Sequence, residues 1–336
     1  MATGTTTYGD INQRTAAWAA TEMLRHAEPV IVLNRFGASK PLPKNKADTV
    51  KFRRPIPFAA ATTPLVEGVT PTAQKMAYED VTAIIKQWGR PIEITDVVAD
   101  LAEDPVLKDA AMLAGEQAGL TTEMVTYGII KAGTNVFYAN GTGRSDVNTP
   151  ISLTKQRAVT RALKAQKAMK ITNILSPSPA YGTRAVEASY VAVCHTDVES
   201  DIRGMAGFTP VAEYGSRQPL CPEEIGCVED VRYVLSPELS PWADAGGAKA
   251  GAVGTMVSTT GTSADVYPVL YIGRDAYGVV PLKGAGAISP SVLNPGTPSK
   301  SDPLGQRGYV SWKAYFTAVI LNQVWMARLE VAVTAL

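Results

Sequence analysis

The sequence is short of the side chains that carry most chemistry at neutral pH. Among 336 residues it has three cysteines (Cys194, Cys221, Cys227) and two histidines (His26, His195). An odd, sparse set of thiols argues against a disulfide framework and fits a reducing compartment. A zinc site built from Cys194, His195, Cys221 and Cys227 lacks any C-x-x-C spacing, so buried thiols and a satisfied strand-end histidine are the ordinary reading. No Walker A, G-x-S-x-G, H-E-x-x-H or dinucleotide motif occurs, and Gly141-Thr142-Gly143 follows a helical pattern, as a plain turn does. Net charge is missing too. The 32 basic and 31 acidic side chains leave +1, which gives no overall reason for nucleic-acid or membrane-surface binding. The Thr-rich start has neither the basic nor the apolar region of a secretory signal. Lys313, Asn322, Gln323 and Arg328 cut the C-terminal apolar runs below the ~18 residues of a membrane span. The expectation is a soluble protein with no cofactor or metal.

What is present is a large apolar fraction, 46%, with 28 glycines and 23 prolines. That suffices for a sizeable core joined by long loops. The balanced charge hides segregated blocks. Residues 35–54 carry seven bases (Arg35, Lys40, Lys44, Lys46, Lys51, Arg53, Arg54) against Asp48, a net of +6. Residues 151–170 carry six (Lys155, Arg157, Arg161, Lys164, Lys167, Lys170) and no acid. Residues 187–244 hold eleven acids against three arginines, a net of −8. Such blocks are often only solvated faces, but complementary blocks in one chain also suit a protein that meets copies of itself. The acidic pairs Glu223-Glu224 and Glu229-Asp230 lie amid proline and glycine and read as solvated loop charges.

The element pattern is α+β. Ala16, Ala17, Ala20, Met23, Leu24 and Ala27 recur at helical spacing before Pro29. Val50 and Phe52 alternate with Lys51 and Arg53, and Pro55 and Pro57 spoil one edge, as in an edge strand or projecting ribbon. With a second extended run over 78–95, residues 46–96 predict a protruding β-arm ~40–50 Å long. Asp104-Pro105 is a helix start, and the pattern predicts a helix to about Ala139, ~50 Å in length. Gly115 and Gly119 would let another backbone approach it closely. A basic helix is expected over 152–169. Strands follow at 190–195, 228–235 and 266–273, with loops at 242–263 and 284–307. Two β-rich runs over 309–333 break at Asn322-Gln323.

Several ordered blocks resemble the major capsid proteins of phages related to coliphage N-four. They include Thr5-Thr-Thr-Tyr-Gly-Asp-Ile11, Lys40-Pro-Leu-Pro-Lys44, Ala61-Thr-Thr-Pro-Leu-Val-Glu-Gly-Val-Thr-Pro71 and Glu103-Asp-Pro-Val-Leu107. Further on come Lys131-Ala-Gly-Thr-Asn-Val-Phe-Tyr-Ala-Asn-Gly141, Val228-Glu-Asp-Val-Arg232, Pro241-Trp-Ala-Asp244 and Ala327-Arg-Leu-Glu330. The blocks run from residue 5 to 330. The resemblance implies the Hong Kong 97-type capsid fold. Residues 1–35 would be an N-terminal arm, 36–100 an extended hairpin loop, and 101–189 a spine helix with the peripheral domain. Residues 190–305 would form the axial domain and 306–336 the C-terminal strands of the peripheral domain.

The function so implied is self-assembly into the pentamers and hexamers of an icosahedral phage head around double-stranded DNA. The chain is expected to be no enzyme, to assemble in the cytoplasm of a bacterial host, and to end in the virion. Besides itself and non-specifically held DNA, the implied partner is a portal protein; a separate scaffold protein or none is expected rather than a fused one, and a decoration or cement protein is left open. No membrane is involved. Expected intersubunit contacts are the arm-base cations Lys44, Lys46, Lys51, Arg53 and Arg54, meeting Glu223, Glu224, Glu229 and Asp230, and, besides these, Glu67. Lys155, Arg157, Arg161 and Lys164 are expected to face the interior and its DNA. Two other readings stand beside this one. The first is a cellular nanocompartment shell of the same fold. The second is a soluble enzyme using Cys194 and His195.

Overall fold

The computed structural model describes residues 31–45, 47–97, 106–171, 175–176, 184–185, 187–215, 219–251, 254–283, 288–293, 295–296, 298 and 302–336. The expected helix over 16–27, the Asp104-Pro105 helix start and Lys46 lie outside these residues. In chain order the strands are β1 (Ala38–Ser39), β2 (Thr49–Pro55), β3 (Tyr78–Ile84), β4 (Lys86–Thr95), β5 (Val136–Tyr138), β6 (Leu175–Ser176), β7 (Arg184–Ala185), β8 (Tyr190–Cys194) and β9 (Phe208–Pro210). They continue with β10 (Glu224–Val228), β11 (Val231–Leu235), β12 (Ala250–Gly251), β13 (Gly254–Thr255), β14 (Tyr267–Ile272), β15 (Tyr277–Pro281), β16 (Ile288–Leu293), β17 (Arg307–Ile320) and β18 (Met326–Val331). Two helices matter here, α1 (Val106–Lys131) and α2 (Leu153–Ala165).

A seven-stranded mixed sheet, in the order β5-β18-β14-β8-β11-β10-β9, forms the main body. Its central strands β8 and β14 read as unbroken apolar runs because both faces are covered. Along β8, Tyr190, Ala192 and Cys194 face a layer containing Val159 and Leu163 of α2. Val191 and Val193 face the opposite layer, with Tyr127 and Ile130 of α1 and with Val32, Leu33 and Phe36. The two-residue side-chain period of a strand thus sorts one continuous run into two cores. Ser152 caps α2 by accepting from the Lys155 amide.

The second sheet is organised by β17. Its 14 residues take β4 along one edge (Arg307↔Thr95 to Phe316↔Lys86) and β16, then β15, along the other. The N-terminal half of α1 lies on this sheet through Ala110, Ala111, Ala114 and Ala118, packed with Ile94, Val310, Trp312 and Ala314. Small side chains bring helix and sheet close, and Gly115 and Gly119 are buried along the same helix. One helix therefore bridges both sheets.

The β2–β3 ribbon leaves this second sheet. Thr49–Pro55 and Tyr78–Ile84 pair throughout, and residues 56–77 connect them. The expected arm is shorter than its pattern suggests. Each ribbon strand has seven residues, ~23 Å at ~3.3 Å per residue. The run continues past Ile85 as β4, but β4 pairs with β17 and belongs to the body.

Three other expectations change. Helix α1 ends at Lys131, not near Ala139, because Val136–Tyr138 are claimed by pairing with β18. The 228–235 run is a hairpin, β10 and β11, turning at Glu229-Asp230 with Glu229 at φ 53°. The 284–307 loop contains β16, whose pattern is obscured by Ser289, Pro290 and Ser291.

Candidate functional site: ribbon, loop and charged flanks

Residues 56–77 carry only two charges, Glu67 and Lys75, and every one of them is exposed. The apex is a tight turn in which the Val69 amide donates to the Val66 carbonyl (3.2 Å), with Gly68 at φ 78°. That conformation suits glycine because it has no Cβ. The turn presents Leu65, Val66 and Val69 at 78%, 67% and 63% exposure, with Ile56, Phe58 and Met76 along its flanks. Isolated exposed apolar residues are ordinary, but a contiguous set marks an interaction surface. A second exposed apolar set runs along the solvent face of α1: Leu113, Leu120 and Met124, at seven- and four-residue spacing, interrupted by Glu116.

The arginines at the ribbon are spent within it. Arg53 forks onto Asp80 (2.7 and 2.8 Å) and Arg54 onto Glu79 (2.6 and 2.9 Å), each pair directly opposed in register. The Arg53 hydrogen bond holds the Asp80 carboxyl below its ordinary range. Arg54 also lies 5.8 Å from the Trp325 ring. A cavity of about 390 Å³ separates the ribbon root from the body, lined among others by Lys40, Phe52, Arg54, Asp275 and Trp325. Lys44, Lys51 and Glu67 are exposed.

The acidic candidates do not form one surface. Glu223 pairs with Arg35 at 2.8 Å. Glu224, expected as a solvated loop charge, is instead buried on β10. It accepts from Tyr214 Oη (2.6 Å), from Arg232 Nη1 (3.3 Å) and from the Leu220 amide. The strand alternation there was hidden by the neighbouring Pro222 and Gly226. Glu229 and Asp230 sit at the hairpin turn facing α2. Arg157 reaches Glu229 (2.5 Å), and Lys164 and Lys170 reach Asp230 (2.5 and 2.9 Å). The two lysines hold Asp230 below its ordinary pKa. Two expected partner surfaces therefore meet each other inside one chain. Lys155 and Arg161 have no ion-pair partner among the described residues.

A buried charged cluster at β18 was not anticipated. Glu330, fully buried, takes both arms of Arg144 (2.8 Å each) and Nε of Arg328 (2.9 Å). Arg328 also caps the carbonyls of Lys131 and Gly133 at the end of α1. Trp242 sits among the cations, with Arg144 at 3.7 Å and Lys131 at 4.1 Å from its ring. Burial, then the two arginines, push the Lys131 pKa down. The Pro241–Asp244 and Ala327–Glu330 blocks meet at this cluster. Their spacing gave no sign of it, because the contact depends on β18 lying beside β5.

No reactive constellation emerges among the described residues. All three thiols are buried, and burial drives Cys221 up to about 12. His195 Nδ1 accepts from the Asp197 amide (3.1 Å), as a strand-end cap. No cluster able to hold a metal ion occurs among the described residues, and none of the helices described is long and apolar enough to cross a membrane.

The family model described as phage capsid protein matches residues 78–327. The chain belongs to the phage capsid protein family. A curated relative, the major capsid protein of Pseudomonas phage KPP21, is 21% identical over 196 residues, which is 55% of this chain. The match spans about half of that relative, 49% of its length. Among solved structures, the capsid of Ralstonia phage GP4 is similar at TM-score 0.64 and 13% identity, over 90% of this chain and 88% of the other. The head structure of Helicobacter pylori bacteriophage KHP40 gives 0.60 and 10%, over 90% and 89%. The cyanophage Pam1 capsid gives 0.56 and 14%, over 91% and 92%. The fold is that of phage capsid subunits, and the family is structural rather than enzymatic. The enzyme reading built on Cys194 and His195 is thereby set aside.

Proposed function

We propose that this capsid-family chain is a major capsid protein of Hong Kong 97 type, and that many copies form the pentamers and hexamers of an icosahedral head around double-stranded DNA. The observation that carries the reading is the loop 56–77. It is an exposed, nearly uncharged segment that gathers six exposed large apolar side chains, Ile56, Phe58, Leu65, Val66, Val69 and Met76. The ribbon would carry this loop over a neighbouring copy. Its apolar apex would then cover the neighbour's Leu113–Leu120–Met124 stripe, with Glu67 and Lys75 near that copy's Lys108 and Glu116. Burial of a Leu or Val side chain contributes ~1.5–3 kcal/mol, so repetition around a ring makes a stable capsomer from one short segment.

The interface role expected for Arg53 and Arg54 becomes indirect under this reading: their pairs stiffen the ribbon. Lys44, Lys51 and Glu67 are the arm charges left for direct intersubunit contacts. On α2, Lys155 and Arg161 are the positions left to face packaged DNA. Portal, scaffold and decoration proteins would complete the head, with assembly in the host cytoplasm. The nanocompartment reading is less favoured, since the family and its structural neighbours are phage capsids.

The test is sedimentation velocity and electron microscopy of the purified chain, alone and co-expressed with the scaffold of its phage. Closed shells built from five- and six-fold rings are expected. A chain that remains a monomer or small oligomer in both settings would contradict the proposal.

A further inference from the structure

Glu123 is the one carboxylate on the buried face of α1, and its side chain has no solvent exposure. It points at the segment that leads into the subunit from the N-terminal side. Both of its oxygens accept from the Leu33 amide (2.9 and 3.1 Å), and Oε2 also accepts from the Val32 amide (3.2 Å). Residues 32–36 are held by two further ties that do not titrate near neutrality. Thr126 Oγ1 donates to Asn34 Oδ1 (2.7 Å), and Tyr277 Oη donates to the Leu33 carbonyl. The free amides of a short 3₁₀ turn, Leu33–Arg35, are thus satisfied by a side chain 90 residues away.

We propose that Glu123 is a pH-sensitive latch between α1 and residues 32–36, holding them docked while its carboxyl is neutral and loosening them as it ionises. The physical reason is a conflict between two requirements. Accepting amides favours the charged form, while burial between α1, β15 and the 32–36 turn disfavours it. Burial is the larger influence and raises the group to about 7 from an ordinary 4.5. The amides of Leu33 and Val32 and the charge of Arg35 oppose the rise, and Glu238 adds to it. Arg35 is itself shared with Glu223, and the neighbouring Tyr277 phenol stays neutral, its own pKa pushed well up by burial.

When the segment lifts, Glu123 meets water and returns to its ordinary value. The docked state therefore binds the proton more tightly than the open state. Docking is fully favoured below about 4.5 and weakens as pH rises to about 7. The opening equilibrium should change on the order of a hundredfold across that window. The latch thus makes the root of the N-terminal segment responsive to pH, a property beyond shell formation itself.

Amide hydrogen exchange of the full-length chain, read by mass spectrometry on the peptide covering 31–36 and corrected for intrinsic rates, tests this between pH 5 and 8. Protection is expected to fall steeply as pH rises. In Glu123→Gln, which stays neutral, it should be flat. In Glu238→Gln the fall should move to lower pH, because removing that negative charge lowers the Glu123 pKa. Thr126→Val should reduce protection while keeping its pH dependence. Flat or rising protection in the natural chain would overturn the proposal, as would an unchanged slope in Glu123→Gln. If Glu123→Gln fails to fold, an unmoved midpoint in Glu238→Gln overturns it alone.

Discussion

Leu65 and Leu270 each sit beside a valine, yet Leu65 is 78% exposed at the tip of the ribbon loop and Leu270 is wholly buried in the seven-stranded sheet. The same contrast holds for charge. In the sheet, Glu224, Arg232, Arg328 and Glu330 are buried and answered by partners in the same chain. In the ribbon, Arg53, Arg54, Glu79 and Asp80 pair in the open. The seven-stranded sheet answers its buried charges within one chain. The ribbon satisfies its charges and leaves its apolar residues uncovered, which is the surface a second copy has reason to bind.

Four variants probe that contrast, in descending order of expected effect on the subunit or its assembly. Glu330→Leu strikes the self-sufficient side: it leaves Arg144 and Arg328 without their carboxylate, and should lower the unfolding free energy by about 3–5 kcal/mol in denaturant titration. A change below ~1 kcal/mol would mean that the cluster is not a keystone of the sheet. Converting Leu65, Val66 and Val69 together to serine should leave that unfolding free energy within ~0.5 kcal/mol while abolishing particles in sedimentation. A folded triple variant that still forms shells would remove the loop from the interface.

The ribbon charges give a finer cut. Arg53→Glu with Arg54→Glu places like charges opposite Asp80 and Glu79, and should impair particle formation. Adding Asp80→Arg and Glu79→Arg should restore it, because the pairs are internal to the ribbon. Continued failure with a folded subunit would mean that the arginines meet another copy directly. The smallest effect belongs to Asp230→Asn. Lys164 and Lys170 hold this carboxyl below its ordinary value, so its contribution is present above the ordinary carboxylate pKa and is lost as pH falls through the lowered one. The variant should be slightly less stable than the natural chain at neutral pH and equal to it in strong acid, as followed by thermal unfolding.

Much of the architecture was legible where side-chain periodicity and local chemistry agree. The alternation through Val50, Lys51, Phe52 and Arg53 marked the ribbon, and the basic pattern marked α2. Legibility failed where a distant strand decided the outcome. Val136–Tyr138 continue a helical pattern but pair with β18, and β16 is a strand because β17 offers it an edge. The same limit applies to the charges. Basic and acidic blocks were visible, but whether Arg157 meets Glu229 of its own chain or of another depends on how the β10–β11 hairpin lies over α2. Glu123 was invisible for a similar reason, since its partners are backbone amides some 90 residues earlier.

The central claim, that loop 56–77 is completed by another copy, is tested most directly by lysine crosslinking of particles assembled from an equal mixture of ¹⁴N- and ¹⁵N-labelled chains. Crosslinks from Lys75, foremost Lys75–Lys108, should appear in mass spectra as mixed-isotope pairs, the signature of two chains. Lys75 crosslinks found only as same-isotope pairs would place the loop on its own subunit and contradict the account.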